Sequence, residues 1–249
     1  MAERTAAAAA DGFRGVEIAF PYDVRASERR SQLEAYGLHL VQILSPLDWD
    51  GGERGLVAVP GREEDFARSV DVAIEYAAAC GRPLIHVALG NVPTDCDPDA
   101  SRAAALANLR EAASRAKRQG LTLIVEACCS ASFPAFFMHS IAETVAFLDE
   151  LGRENVKLCF DTYHVAMDSG NDLDAALDTA WPHIGHVQIG NTPGRHEPGE
   201  GDLDLVAFIE EIERRGWSSW VGLEYTPRHG TAASLQWARD LGLLPKRAC

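Results

Sequence analysis

The sequence contains no stretch of about 18 uninterrupted apolar residues, the length a membrane-spanning helix requires, so a helical membrane span is not expected. It has no basic excess either: Lys and Arg number 23 against 37 Asp and Glu, a formal net charge of −14. Non-specific binding to nucleic acid needs a basic face, and an anionic membrane surface attracts one too, so neither partner is expected. Six cysteines stand at 80, 96, 128, 129, 159 and 249, and none forms a CxxC pair. A chain of 249 residues has enough interior to fold without staples, so reduced thiols and a cytoplasmic location are expected. The adjacent Cys128 and Cys129 read as two small packing residues rather than a redox pair. The eight histidines make no HExxH motif, which weakens a zinc hydrolase reading. The N-terminal MAERTAAAAADGF is too weakly apolar, and too soon followed by acid, for a signal peptide. With no Ser/Gly/Pro-rich linker and no low-complexity tract, residues 1–249 read as a single domain.

What recurs is a unit: a short apolar run, a loop, then an amphipathic helix. The runs are Gly15–Phe20, His39–Leu44, Leu84–Leu89, Leu121–Val125, Val156–Phe160, Ile184–Ile189 and Trp220–Leu223. Most lack strict alternation, as strands buried on both faces of a parallel sheet do. Phe66, Val70, Ala73, Ile74 and Ala77 share one helical face, closed by Gly81. Leu106, Leu109, Ala113 and Ala116 repeat the pattern up to Gly120, and Val206, Ile209 and Ile212 predict a third stripe ending at Gly216. Ser140 to Glu143 fits a capping box. Alternating strands and helices with short connections imply right-handed crossovers and an α/β barrel, with seven strands in view.

Chemistry in such barrels sits at the carboxyl ends of the strands. There the runs carry Glu126, Asp161, Gln188 and Glu224. Carboxylates converging on one mouth repel one another and are costly as ions unless a cation lies among them. An all-oxygen set suits Mg²⁺ or Mn²⁺ better than Zn²⁺. His164, three residues after Asp161, is placed to donate to a substrate oxygen. Arg195, in a Gly- and Pro-rich loop after the Gln188 strand, has the fork that clamps a carboxylate or phosphate. Glu17 and His86 lie inside strands and read as hydrogen-bonded residues of the barrel interior.

Glu126, Asp161-Thr-Tyr-His164, His186-Val-Gln188, the Pro193-Gly-Arg-His-Glu-Pro198 loop and Gly222-Leu-Glu-Tyr225 closely resemble the hydroxypyruvate isomerase family, one of the xylose-isomerase-like barrels of sugar isomerases and epimerases. Phe20-Pro-Tyr22 and Gly51-Gly-Glu-Arg-Gly55 add to the likeness, which spans nearly the whole chain. The resemblance implies a TIM (β/α)₈-type barrel and one divalent metal held by Glu126, Asp161, Gln188 and Glu224. It also implies proton transfer by Glu126 and Glu224, and substrate oxygens bound by His164 and Arg195. Sibling epimerases usually have His where Gln188 stands, which points to the hydroxypyruvate subgroup. The implied reaction interconverts hydroxypyruvate and tartronate semialdehyde through an enediolate. 2-Dehydrotetronate carries the same reacting atoms and fits almost as well.

Two departures from the family pattern bear on these expectations. Family members usually begin with a strand before the first helix, and this sequence starts at the helix. Seven barrel strands are therefore expected, with a gap or distorted closure between Gly15–Phe20 and Trp220–Leu223. A lower stability than that of an upstream-extended chain follows, as does association into a homo-oligomer through the open edge. Second, the family often has Pro and Asn shortly after the first catalytic Glu, where this chain has Cys128 and Cys129, which puts a substrate contact there in doubt. The rival readings are a sugar epimerase or lyase on the same barrel and a degenerate barrel kept as a binding protein. A DNA endonuclease of the barrel superfamily would need more His ligands and a basic groove.

Overall fold

The computed structural model describes residues 2–170 and 172–245. Seven parallel strands form one sheet in chain order: β1 (Gly15–Glu17), β2 (His39–Leu44), β3 (Leu84–His86), β4 (Leu123–Glu126), β5 (Val156–Asp161), β6 (Ile184–Ile189) and β7 (Val221–Leu223). Each lies within or overlaps an expected apolar run. The ladders of β4 and β5 extend to include Glu126 and Asp161, so both carboxylates are held by strand hydrogen bonds rather than by loops. β1 stops at Glu17, where the register with β2 shifts. Beyond β3, Val87 and Leu89 stay buried, but Leu89 turns its carbonyl to the Ala58 N–H of a neighbouring loop.

The helices are α1 (Ala2–Ala10), α2 (Ala26–Glu34), α3 (Glu63–Ala79), α4 (Pro98–Arg118), α5 (Ile141–Leu151), α6 (Thr162–Ser169), α7 (Leu173–Ala180), α8 (Leu205–Arg214), and the short α9 (Thr231–Ser234) and α10 (Gln236–Asp240). In α3 and α4 every expected core position is buried. In α8 the buried stripe is Leu205, Phe208, Ile209 and Ile212, and Val206 lies beside it. Steps of three residues lag a full turn by about 60° each, so three such positions do not share one face. The capping box of α5 is formed: the Ser140 hydroxyl accepts the Glu143 N–H, and Glu143 Oε2 accepts the Ser140 N–H. Ser140→Ala should cost about 1 kcal/mol, seen as a fall of roughly 2–4 °C in melting temperature.

Among the described residues β1 and β7 do not pair, and the barrel is nearly closed rather than closed. A cavity of about 440 Å³ fills this seam, lined by Gly15, Val16, Val41, Trp220, Val221 and Leu223 among others. Trp220 leans across it, its ring 5.9 Å from that of His39. Gly15 leaves room for that indole, because a Cβ there would stand 3.0 Å from the ring. Below the seam the buried Arg239 of α10 pairs with Asp11 at 2.7 Å, tying the end of α1 to the C-terminal segment. No described helix is long and apolar enough to cross a membrane.

Candidate active site

Parallel pairing sets the four expected ligands side by side at the carboxyl ends of β4 to β7. Glu126 lies opposite Cys159, Asp161 opposite Gln188, and Gln188 opposite Gly222, two residues before Glu224. Glu126, Gln188 and Glu224 line a cavity of about 400 Å³ together with His164, Arg195 and Glu17. Asp161 is buried at its edge and takes the Tyr163 N–H and the Arg195 guanidinium.

Arg195 enters the site further than the sequence suggested. Its Nη2 donates to Asp161 Oδ2 at 2.5 Å and lies 2.8 Å from Glu224 Oε1, its Nε donates to the Glu224 carbonyl at 3.2 Å, and the group rests on the Tyr163 ring. The guanidinium thus stands between two of the expected ligands as their counter-cation. Among the described residues the one trio of acid, thiol and imidazole donors within 4.8 Å of one another is Glu126, Cys128 and His164. His164 fits poorly as a ligand there. Its Nδ1 accepts the Cys129 N–H at 3.2 Å, which places the proton of the neutral ring on Nε2 as a donor.

Burial and charge decide the protonation states. Burial, then the charges of Asp161 and Glu224, raise Glu126 well above the carboxylate range. Asp161 is also raised by burial, with Arg195 and the Tyr163 N–H opposing. Glu224 keeps 44% of its side chain exposed, yet burial among the strand ends and the Asp161 charge raise it to about 8. Burial pushes His164 down to about 3 and His86 to about 4, so both rings are neutral. Cys128 and Cys159 are raised by burial and by Glu126, and remain thiols that donate, Cys128 toward Glu126 Oε2 and Cys159 to Gln188 Oε1 at 2.9 Å.

A divalent cation fits this donor set. Glu126 Oε1 is buried with no hydrogen-bond partner, and Arg195 is shared between Asp161 and Glu224, while the oxygens of Glu126, Asp161 and Glu224 do not all come within 4.8 Å of one another. Such a group is costly in isolation, and a bound cation would satisfy it.

Several site residues escaped sequence reading. Cys128 reads as a small packing residue and Cys159 only as a reduced thiol, and their role as S–H donors depends on which strand lies beside them. Glu17 was expected to be hydrogen-bonded inside the barrel, and it is, to His186 and Gln188. His86 lies 3.7 Å from Glu126 Oε2. The Gly51–Gly55 segment closes one side of the mouth, with Arg54 4.0 Å over the Trp49 ring. Its approach depends on Gly55 and Gly90, since a Cβ on Gly55 would stand 2.1 Å from the Ala88 carbonyl oxygen and one on Gly90 2.4 Å from that of Gly55.

Residues 5–241 match the family described as Xylose isomerase-like TIM barrel. A 2-oxo-tetronate isomerase of Cupriavidus necator is 42% identical over 240 residues, covering 95% of this chain and 91% of its own. The hydroxypyruvate isomerase of Escherichia coli is 35% identical over 231 residues, covering 92% and 89%. Among solved structures, one described as AP endonuclease, family 2, from Brucella melitensis superposes with a TM-score of 0.91 at 35% identity, covering 96% of this chain and 92% of that one.

Proposed function

The chain belongs to the xylose isomerase-like TIM barrel family and is an isomerase, and we propose that it interconverts hydroxypyruvate and tartronate semialdehyde, or the corresponding four-carbon pair. The observation that carries this reading is one cavity onto which Glu126 and Glu224, both with raised affinity for protons, open beside Gln188 and a His164 ring protonated on Nε2. Carboxylates shifted toward neutrality are suited to exchange protons with carbon near physiological pH.

One glutamate removes the proton from the hydroxyl-bearing carbon, which leaves an enediolate. The other delivers a proton to the neighbouring carbon, while one proton moves from the first oxygen to the second. His164 donates from Nε2 to a substrate oxygen. Arg195 Nη1 has no partner among the described residues and is the arm left for the substrate carboxylate. Glu126, Asp161, Gln188 and Glu224 would hold Mg²⁺ or Mn²⁺, which would supply Lewis-acid stabilisation of the developing oxygen charge. The buried free thiols fit a reducing cytoplasm. The charge of −14 speaks against DNA as the substrate.

The four-carbon 2-oxo-tetronate is the second reading. It is supported by the identity of 42% to a relative named for that substrate and by a cavity of about 400 Å³, roomier than three carbons need. A panel of hydroxypyruvate, 2-oxo-tetronate and uncharged ketoses, assayed with Mn²⁺, decides between them. Turnover of ketoses alone would overturn both. Arg195→Lys keeps the charge but loses the planar fork. KM for the 2-oxo acid should rise about tenfold to a hundredfold, the worth of a charge-assisted hydrogen bond, with little change on an uncharged ketose. An equal loss on both would confine Arg195 to bracing Asp161 and Glu224.

A further inference from the structure

We infer that Glu17 is a positioning residue that turns the carbonyl of Gln188 toward the metal, and that it reaches Gln188 across the seam between β1 and β7. The inference rests on the metal-ligand role proposed for Gln188. Glu17 is the last residue of β1, where the register shift with β2 marks an irregular pair. Its carboxylate does not stay on its own side of the seam. Oε1 accepts from His186 Nε2 at 2.6 Å and Oε2 from Gln188 Nε2 at 2.7 Å, both on β6. To get there it passes over β7 at Gly222, where a Cβ would stand 2.3 Å from Glu17 Oε1 and 3.0 Å from Gln188 Cγ. Glycine is needed at 222 because the space belongs to this carboxylate.

The chemistry of the pair fixes the direction of the amide. Both carboxylate oxygens of Glu17 are used as acceptors, so Gln188 presents its NH₂ to Glu17 and its oxygen to the other side. The opposite flip would set oxygen against oxygen. Gln188 Oε1 then accepts the Cys159 S–H at 2.9 Å, which uses one lone pair and leaves the second. An amide binds a cation through oxygen alone, so a Gln free to rotate would offer its NH₂ half of the time to a site that needs its carbonyl. Partners that orient a ligand in this way are typically worth tenfold to a hundredfold in metal affinity or activity.

The test is Mn²⁺ binding measured by calorimetry on the full chain, with melting temperatures in chelator as the control. Glu17→Gln should weaken Mn²⁺ about tenfold or more, because a second amide accepts either orientation of the first. Gly222→Ala, which displaces the same carboxylate without removing it, should weaken it in the same direction. In a Gln188→Ala background the Glu17→Gln change should have no further effect. Wild-type affinity in Glu17→Gln, or the same fold loss with and without Gln188, would overturn the proposal. So would a fall in chelator melting temperature with Mn²⁺ affinity intact, since that is what a purely structural seam clamp predicts. Failure of the enzyme on every 2-oxo acid with these binding results intact would overturn the proposed substrate and leave the role of Glu17 standing.

Discussion

Replacing Glu126 by Gln is expected to lower kcat by about a hundredfold to ten-thousandfold, the usual worth of a positioned proton-transfer group, and Glu224→Gln should do the same. Both substitutions keep size and remove the ability to take a proton from carbon. Glu126→Gln also exchanges the buried, unpartnered Oε1 environment for one that holds either an amide oxygen or an NH₂. Folding is therefore checked by melting temperature before rates are compared. Solvent deuterium exchange into substrate separates the roles. If the glutamates serve different carbons, each variant keeps exchange at one carbon and loses it at the other. A kcat within tenfold of wild type in either variant would remove that residue from the proton path.

Divalent metal should control stability as well as turnover. Dialysis against chelator is expected to abolish activity, and Mn²⁺ should restore it. At 100 times its dissociation constant a bound ion adds about 2.7 kcal/mol, a rise of roughly 5–10 °C in melting temperature for a chain of this size. The size of that rise should depend on pH. Glu126, Asp161 and Glu224 are all raised in the folded protein, with Glu224 at about 8, so the folded state binds protons more tightly than the unfolded chain. Their stabilising effect is complete below about pH 4, the ordinary carboxylate range, and is lost as pH rises through the folded values. Metal-free protein should melt lower at pH 8 than at pH 6, and Mn²⁺, which takes the place of those protons, should raise the melting temperature more at pH 8. A metal-free protein equally stable at both values would mean that Arg195 alone neutralises the cluster.

Much of this was legible in the chain itself. The strands announced themselves because a parallel strand buried on both faces must be apolar along its length. The helices did so because a buried stripe repeats every 3.6 residues and ends at a residue that tolerates αL. Glu126, Asp161, Gln188 and Glu224 stood out because four oxygen-bearing residues end successive strands, whereas one alone reads as a cap for the next helix, a part Asp161 also plays for α6, and the family pattern of the Pro193–Pro198 loop supported them. The seam between β1 and β7 was legible too, from a strand count of seven. The stripe in α8 was misplaced by one residue, at Val206, because three-residue steps drift from a true helical repeat.

The remaining features required the folded chain. Arg195 was readable as a clamp but not as the cation between Asp161 and Glu224, because its loop takes its path from contacts with the segment after β7. Cys159 orients Gln188 only because β5 and β6 pair in one register, and a slip of one residue would turn the thiol away. Glu17 and Gln188 are separated by 171 positions and share no motif, and their bond exists because the open seam brings the last residue of β1 over Gly222. Sequence determines which side chains are present and which face of its own element each occupies, since that depends on the local period. Which donor meets which acceptor depends on distances between elements, and only packing sets those.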